Sequence, residues 1–266
     1  MTLDEIFKNL WIQYELHNPI VSQIHDLVQT KECGKEIVND HIAFRTFNHP
    51  KVNIEVIAKV FTDLGYIEMG QYSFIEKKLN AKHYEKKGYP TIFISELILE
   101  QCSPFIRETV EEMVSQIPQK KLEQPDFLWS GCLWNMIDSA SYECIRHESE
   151  YASWLCAFGY RANHFTISVN DLRCFELASL IRFLGKNDIQ MNTNGGLIKG
   201  SKKQYLEQAS TLACIEVVDF SDVSLDIPCC FYELAERYEL PNGKLFTGFI
   251  PDSANKIFES TDAIYK

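Results

Sequence analysis

The 266-residue sequence is poor in the features that announce a membrane, secreted or nucleic-acid-binding protein. No stretch approaches the roughly 18 consecutive apolar residues of a membrane span. The N-terminus lacks a basic segment followed by an apolar one, so no signal peptide is expected. Basic residues are in deficit, 26 Lys and Arg against 37 Asp and Glu, for a formal charge of −11. That balance excludes a broad nucleic-acid surface, which needs Lys and Arg in excess. It leaves room for a small anionic substrate, because one buried Arg can hold a carboxylate. The nine cysteines form no CxxC pair and are odd in number. They read as reduced core cysteines of a cytoplasmic protein, not as a disulfide framework. HExxH, GxGxxG, Walker A and GxSxG are all missing, which removes the common zinc protease, nucleotide and serine hydrolase signatures. No Gly/Ser linker occurs, so residues 1–266 are expected to form one compact catalytic unit.

What is present is globular: 45% hydrophobic and 24% charged residues. Leu3, Ile6, Phe7, Leu10, Trp11 and Tyr14 have helical spacing and predict a docked amphipathic helix. A weak internal repeat follows. Asp40-His41-Ile42-Ala43-Phe44-Arg45-Thr46-Phe47 reads as a strand. It leads into a helical pattern from Ile54 to Leu64, closed at Gly65. Asn163-His164-Phe165-Thr166-Ile167-Ser168-Val169-Asn170 reads the same way, leading into a helix from Phe175 to Leu184, closed at Gly185. Further β-type runs come after each glycine: Gln71–Ile75, Lys78–Tyr84 and Thr91–Leu99, then Gly196–Gly200, Ala209–Phe220 and Cys229–Ala235. Each half, about 36–100 and 160–236, thus reads β-α-β-β-β. Between them, about 103–160, lies a helical insert rich in aromatics, where Ser103 and Pro104 predict an N-cap and first helical position. The expected fold class is α+β, with two modules pairing their sheets around one cleft.

Strand side chains alternate faces. His41, Ala43 and Arg45 therefore share one face, and His164, Thr166 and Ser168 share the matching face of the second copy. The opposite faces are mostly apolar and suit a core. Two histidines at equivalent positions on a polar wall suggest metal ligands that lack a third partner. Glu96 and Glu233 are both candidates, each a carboxylate inside an apolar run where a lone charge is costly. Two imidazoles and a carboxylate make the facial triad of non-haem Fe(II) oxygenases, and the same set also suits Zn²⁺. Arg45 lies about 13 Å from His41 along the strand, at about 3.3 Å per residue. From there it could read the far carboxylate of a chelated 2-oxo acid. Cys229 and Cys230 read as buried and structural, and Asp252-Ser253 as either near the cleft or capping a last helix.

These segments together resemble the 2-oxoadipate dioxygenase/decarboxylase family: DHIAFRTF, FISEL around Glu96, NHFTISVN, GGLIKGS near Lys199, FYELAER with Glu233, and the closing GF…SANKIFEST. The resemblance runs from about residue 3 to 262. It implies vicinal-oxygen-chelate-like βαβββ modules forming a curved half-barrel around the metal. It also implies Fe(II) held by His41, His164 and Glu233, Arg45 as catalytic and substrate-binding residue, and Ser253 as a second substrate contact. Glu96 then becomes a candidate for supporting a ligand. The implied reaction takes 2-oxoadipate and O₂ to 2-hydroxyglutarate and CO₂, a step of lysine breakdown; charge, hydropathy and cysteine usage add the expectation of a cytoplasmic enzyme with neither nucleic acid nor membrane as partner. A glyoxalase-type isomerase or lyase and a metal-free small-acid binding protein remain alternatives on the same fold.

Overall fold

The computed structural model describes residues 1–251. Two helices lead, α1 (Leu3–His17) and α2 (Ile20–Lys31). Thr2 starts α1 through a capping box with Glu5. The first module follows as β1 (Asn39–Phe47), α3 (Ile54–Thr62), β2 (Ile67–Phe74), β3 (Leu79–Glu85) and β4 (Thr91–Leu97). The insert folds into α4 (Pro104–Ser115), α5 (Gln119–Leu122), α6 (Ser139–Glu148) and α7 (Glu150–Phe158). Ser103 accepts from the Ile106 amide with Pro104 in the first turn, as expected. The second module is β5 (Ala162–Ser168), α8 (Leu177–Lys186), β6 (Lys199–Ser201), β7 (Leu206–Ser210), a hairpin of β8 (Ile215–Asp219) and β9 (Ser224–Pro228), and β10 (Phe231–Arg237).

One curled sheet joins the halves in the order β2-β3-β4-β1-β5-β10-β7-β6. The order reads the same from either edge by module. Each first strand pairs in parallel with the last strand of its own module, β1 with β4 and β5 with β10. The two first strands pair antiparallel at the centre, with Ala43 opposite His164. The repeat in the sequence is therefore a pseudo-two-fold in space.

Three expectations are corrected. The run Ala209–Phe220 is not one strand: the chain leaves the sheet after Ser210, and Ile215–Asp219 pairs instead with β9 in a separate hairpin. Gly185 does not close α8, since the helix runs on to Lys186 and Asp188 takes the left-handed position with φ 63°. Gly65 does occupy one, with φ 91°. The strand read as Gln71–Ile75 begins earlier, at Ile67.

The convex face of the sheet is apolar. Phe44 meets Phe61 of α3, and Phe165 meets Trp11 and Tyr14 of α1. On the concave face α7 is buried from Tyr151 through Phe158. Tyr151 Oη donates to the Ser95 carbonyl at 2.7 Å, and Trp154 Nε1 donates to the Cys229 carbonyl at 2.7 Å. The insert thus walls the cleft. All nine cysteines are free: Cys229 and Cys230 are buried, whereas Cys33, Cys144 and Cys174 are exposed and not core residues.

Candidate metal centre

The period-2 alternation of β1 and β5 puts His41 and His164 on the concave face, and the antiparallel centre brings them together. Their rings are 5.5 Å apart, edge to face. From the neighbouring strand β10, Glu233 enters the same space, 3.5 Å from His41 Nε2 through one oxygen and 3.4 Å from His164 Nε2 through the other. One ligand atom from each of the three lies within 4.8 Å of the others, and all three residues are buried. No other group of three His, Cys, Asp or Glu among the described residues is so arranged.

Each histidine is turned by the residue before it. Asp40 Oδ1 lies 2.7 Å from His41 Nδ1, and Asn163 Oδ1 lies 3.1 Å from His164 Nδ1. An acceptor on Nδ1 favours the tautomer with its proton there, so both Nε2 lone pairs face the centre. Asp40 is itself clamped by Arg237, Nε to Oδ2 at 2.7 Å and Nη2 to Oδ1 at 2.8 Å. Gln208 Nε2 donates to Glu233 Oε1 at 2.6 Å, while Glu233 Oε2 is buried and accepts no hydrogen bond from the described residues. Thr166 Oγ1 sits 3.1 Å from His41 Nε2.

Burial raises the Glu233 carboxyl above its ordinary range, against the partial compensation of His41 and Gln208. Burial also lowers His164 well below the usual histidine value, helped by the neighbouring His41 and by the Arg45 guanidinium. Asp40 goes the other way: burial opposes its charge, but Arg237 and His41 outweigh burial and hold it below the usual carboxylate range. A buried carboxylate oxygen without a hydrogen bond, facing two imidazoles fixed as neutral donors, fits a cation better than it fits an all-protein network.

Arg45 lines the same cavity, together with Phe93, Ser95 and Phe249. Its guanidinium packs over Tyr151 and Trp154 of α7, 4.9 and 5.0 Å from the ring centres, and Nη1 donates to Glu150 at 3.1 Å. Phe231 stacks on His164 at 4.6 Å, and Phe249 stands edge-on to His41 at 4.9 Å. The remaining cavity is about 30 Å³, enough to hold a water or an ion.

The structure brings His41, His164, Glu233 and Arg45, the residues singled out in the sequence, around one space. Glu96 is not brought there. It faces a polar groove on the other side of β4, and its carboxylate accepts from the Ile54 amide at 3.0 Å, the first residue of α3. Its counterpart is Glu236, which accepts from the Leu177 amide at the start of α8 at 2.8 Å. Register shows why the two glutamates are not equivalent: Glu233 sits opposite Thr166, and the matching position opposite Ala43 is Phe93. Ser253 lies outside the described residues. Asp40, Asn163, Gln208 and Arg237 were missed. A side-chain acceptor directly before each repeat histidine was the available signal for the first two.

A curled sheet of paired βαβββ modules, with two imidazoles and a carboxylate converging inside it, defines a protein with a buried donor set that could hold a metal ion. The chain belongs to the 2-oxoadipate dioxygenase/decarboxylase family, which it matches over residues 8–125 and 125–246. It is 32% identical over 276 aligned positions to the chloroplastic 2-oxoadipate dioxygenase/decarboxylase of Arabidopsis thaliana, covering 93% of this chain and 74% of that one. Among solved structures, the hydroxyglutarate synthase of Oryza sativa in complex with 2-oxoadipate is 30% identical, with a TM-score of 0.91 over 97% of this chain and 91% of that one. A Shewanella frigidimarina protein described as a hydrolase is 43% identical, with a TM-score of 0.89 over 93% and 97% of the two chains. No helix among the described residues is long and apolar enough to cross a membrane.

Proposed function

We propose that this protein is an Fe(II)-dependent oxygenase that converts 2-oxoadipate and O₂ into 2-hydroxyglutarate and CO₂. The observation that carries the reading is the convergence of His41, His164 and Glu233 on one buried space that Arg45 also lines. The rice relative crystallised with 2-oxoadipate supports the substrate class. Bound Fe(II) would supply the Lewis acidity and the O₂ chemistry that no side chain here can provide.

The chain's own residues do the rest. Asp40 and Asn163 hold the Nδ1 protons and aim Nε2 inward. Gln208 fixes one oxygen of Glu233. Phe231 and Phe249 exclude water from the reacting centre. Arg45 reads the far carboxylate of the 2-oxo acid through its planar fork. In the structure Glu150 holds one arm of that fork, so the incoming carboxylate competes with an internal one. The overall reaction balances without a second organic substrate, since both oxygen atoms enter the products of the same acid.

An oxygen electrode with Fe(II)-loaded protein tests the proposal. Uptake is expected to fall in the order 2-oxoadipate, 2-oxoglutarate, 2-oxohexanoate, with one CO₂ released per O₂. A monocarboxylate leaves Arg45 without its substrate partner, which should discriminate by about a hundredfold or more. Equal turnover of 2-oxohexanoate and 2-oxoadipate would remove the role given to Arg45. No uptake with any of them, in fully loaded protein, would remove the oxygenase and favour a glyoxalase-type isomerase.

A further inference from the structure

The guanidinium of Arg237 stands between two features of the site that do not otherwise meet. On one side its Nε and Nη2 hold both oxygens of Asp40, and Asp40 holds Nδ1 of His41. On the other side its Nη1 donates to the carbonyls of Phe246 and Gly248, at 3.2 and 2.8 Å. Those two carbonyls belong to a segment that ends over the metal site. Phe249 packs edge-on against His41, and its backbone amide is held by Tyr72 Oη at 3.1 Å. Arg237 itself lies 5.3 Å from the Phe249 ring. One side chain, buried to 6% exposure, therefore sets the angle of a ligand and pins the cover above it.

The cover cannot stay where it is while substrate enters. The cavity beneath Phe249 is about 30 Å³. That accommodates an ion or a water and not a six-carbon diacid. Opening residues 246–249 means giving up the two carbonyl bonds to Arg237 Nη1. The same guanidinium orients Asp40, so the position of the cover and the orientation of His41 share one residue.

We propose that Arg237 is a positioning residue that couples closure of residues 246–249 to the orientation of His41 for metal binding. The physical basis is the rigid geometry of the guanidinium. Its donors lie in one plane, so a tilt that lengthens the bonds to Phe246 and Gly248 also misaligns the pair with Asp40. A lysine would supply charge without that rigid link.

This inference rests on the metal-centre reading, and the experiment separates the two. The probe is Co²⁺, followed by its d–d absorption in the full-length protein, together with hydrogen–deuterium exchange of the amides of residues 246–249. In the wild type, Co²⁺ should slow exchange in this segment. Asp40→Asn does not touch the segment, yet it should speed exchange there about tenfold in the metal-free protein. Arg237→Lys should lower Co²⁺ affinity about tenfold and abolish the Co²⁺-dependent protection, and Arg237→Gln should do so more strongly. If Arg237→Gln does not fold, Arg237→Lys and Asp40→Asn decide the matter. Retention of metal-dependent protection in Arg237→Lys, or unchanged segment exchange in Asp40→Asn, would overturn the coupling. Absence of Co²⁺ binding by the wild type would instead overturn the metal-centre reading.

Discussion

The two modules have the same strand order and divide the work unequally. Where the second module puts Glu233, the first has Phe93. Where the second has Gln208, gripping that glutamate, the first has Ala81, and where the second has Arg237 the first has Leu97. The first module has Arg45 in exchange, four residues beyond its histidine, where the second has Ser168. The two histidines are oriented differently as well. His41 leans on a carboxylate fixed by a guanidinium, while His164 leans on Asn163, whose buried Nδ2 has no partner among the described residues. A fold repeated in its backbone thus brings one candidate ligand, His41, and the cation Arg45 from its first half, and two candidate ligands, His164 and Glu233, from its second. Symmetry supplies the position of the ligands, and departures from symmetry supply the chemistry.

The largest effect that sharpens this comparison is at Glu233 and Phe93. Glu233→Ala should abolish stoichiometric Co²⁺ or Fe(II) binding, measured by metal analysis after gel filtration, as should His41→Ala and His164→Ala. Phe93→Leu, at the equivalent place, should bind metal normally. Binding by Glu233→Ala would mean the carboxylate is not a ligand.

Next comes Arg45. Arg45→Ala should bind metal as the wild type does and lose about a hundredfold or more in kcat/KM on 2-oxoadipate. Arg45→Lys should not restore it, because the bidentate geometry is lost. Wild-type kcat/KM in Arg45→Ala would make the residue purely structural, an anchor for Glu150 and α7.

A smaller contrast is expected between the two histidine supports. Asp40→Asn should lower metal affinity by about ten- to a hundredfold, the usual cost of losing such a support. Asn163→Ala, which removes a neutral and less constrained acceptor, should cost less. Equal losses would show that the Asp40–Arg237 pair adds nothing to His41.

The helix-capping glutamates should behave alike, whichever module they come from. Glu96→Gln and Glu236→Gln should each lower stability in chemical denaturation by about 1 kcal/mol, the scale of a lost helix cap, and leave metal affinity unchanged. A fall in metal affinity in Glu96→Gln would restore its role at the centre.

The last contrast concerns the hairpin β8–β9, which the first module lacks. Glu216 on β8 pairs with Arg161 at 2.8 Å and His17 at 3.1 Å. Burial opposes its charge, but these partners win and depress its carboxyl to about 2. A depressed value in the folded state means stability present above the unfolded value of about 4.3. That stability is lost as pH falls toward 2. Acid unfolding of Glu216→Gln should therefore be flatter across this window than that of the wild type.

The repeat and the two histidines were legible in the sequence because a period of two is a local property. It fixes which residues share a face before any strand has a neighbour. Glu233 was legible as a carboxylate in an apolar run. Glu96 met the same criterion and failed, because parity along β4 sends Phe93 and Ser95 inward and Glu96 toward α3. Arg237 and Gln208 could not be read from sequence alone. Their roles depend on which residue of a neighbouring strand each faces, and interstrand register is not written in the composition of either strand. The break after Ser210 was hidden for a related reason: Ala209 to Phe220 remains β-like throughout, and only pairing partners divide it.

The antiparallel contact of β1 with β5 also has a thermodynamic reach. The hydroxyl of Thr166 and the ring of His41 meet across 125 residues of chain. No ligand set exists in either half alone, so an ion can recognise only the state in which both halves have met. Binding to that state alone adds free energy to it by mass action, about 2.7 kcal/mol at an ion concentration a hundred times the dissociation constant. The ion would thereby act as a clasp on the seam between the modules, and stripping it should lower the melting temperature of the whole sheet, not merely empty a pocket.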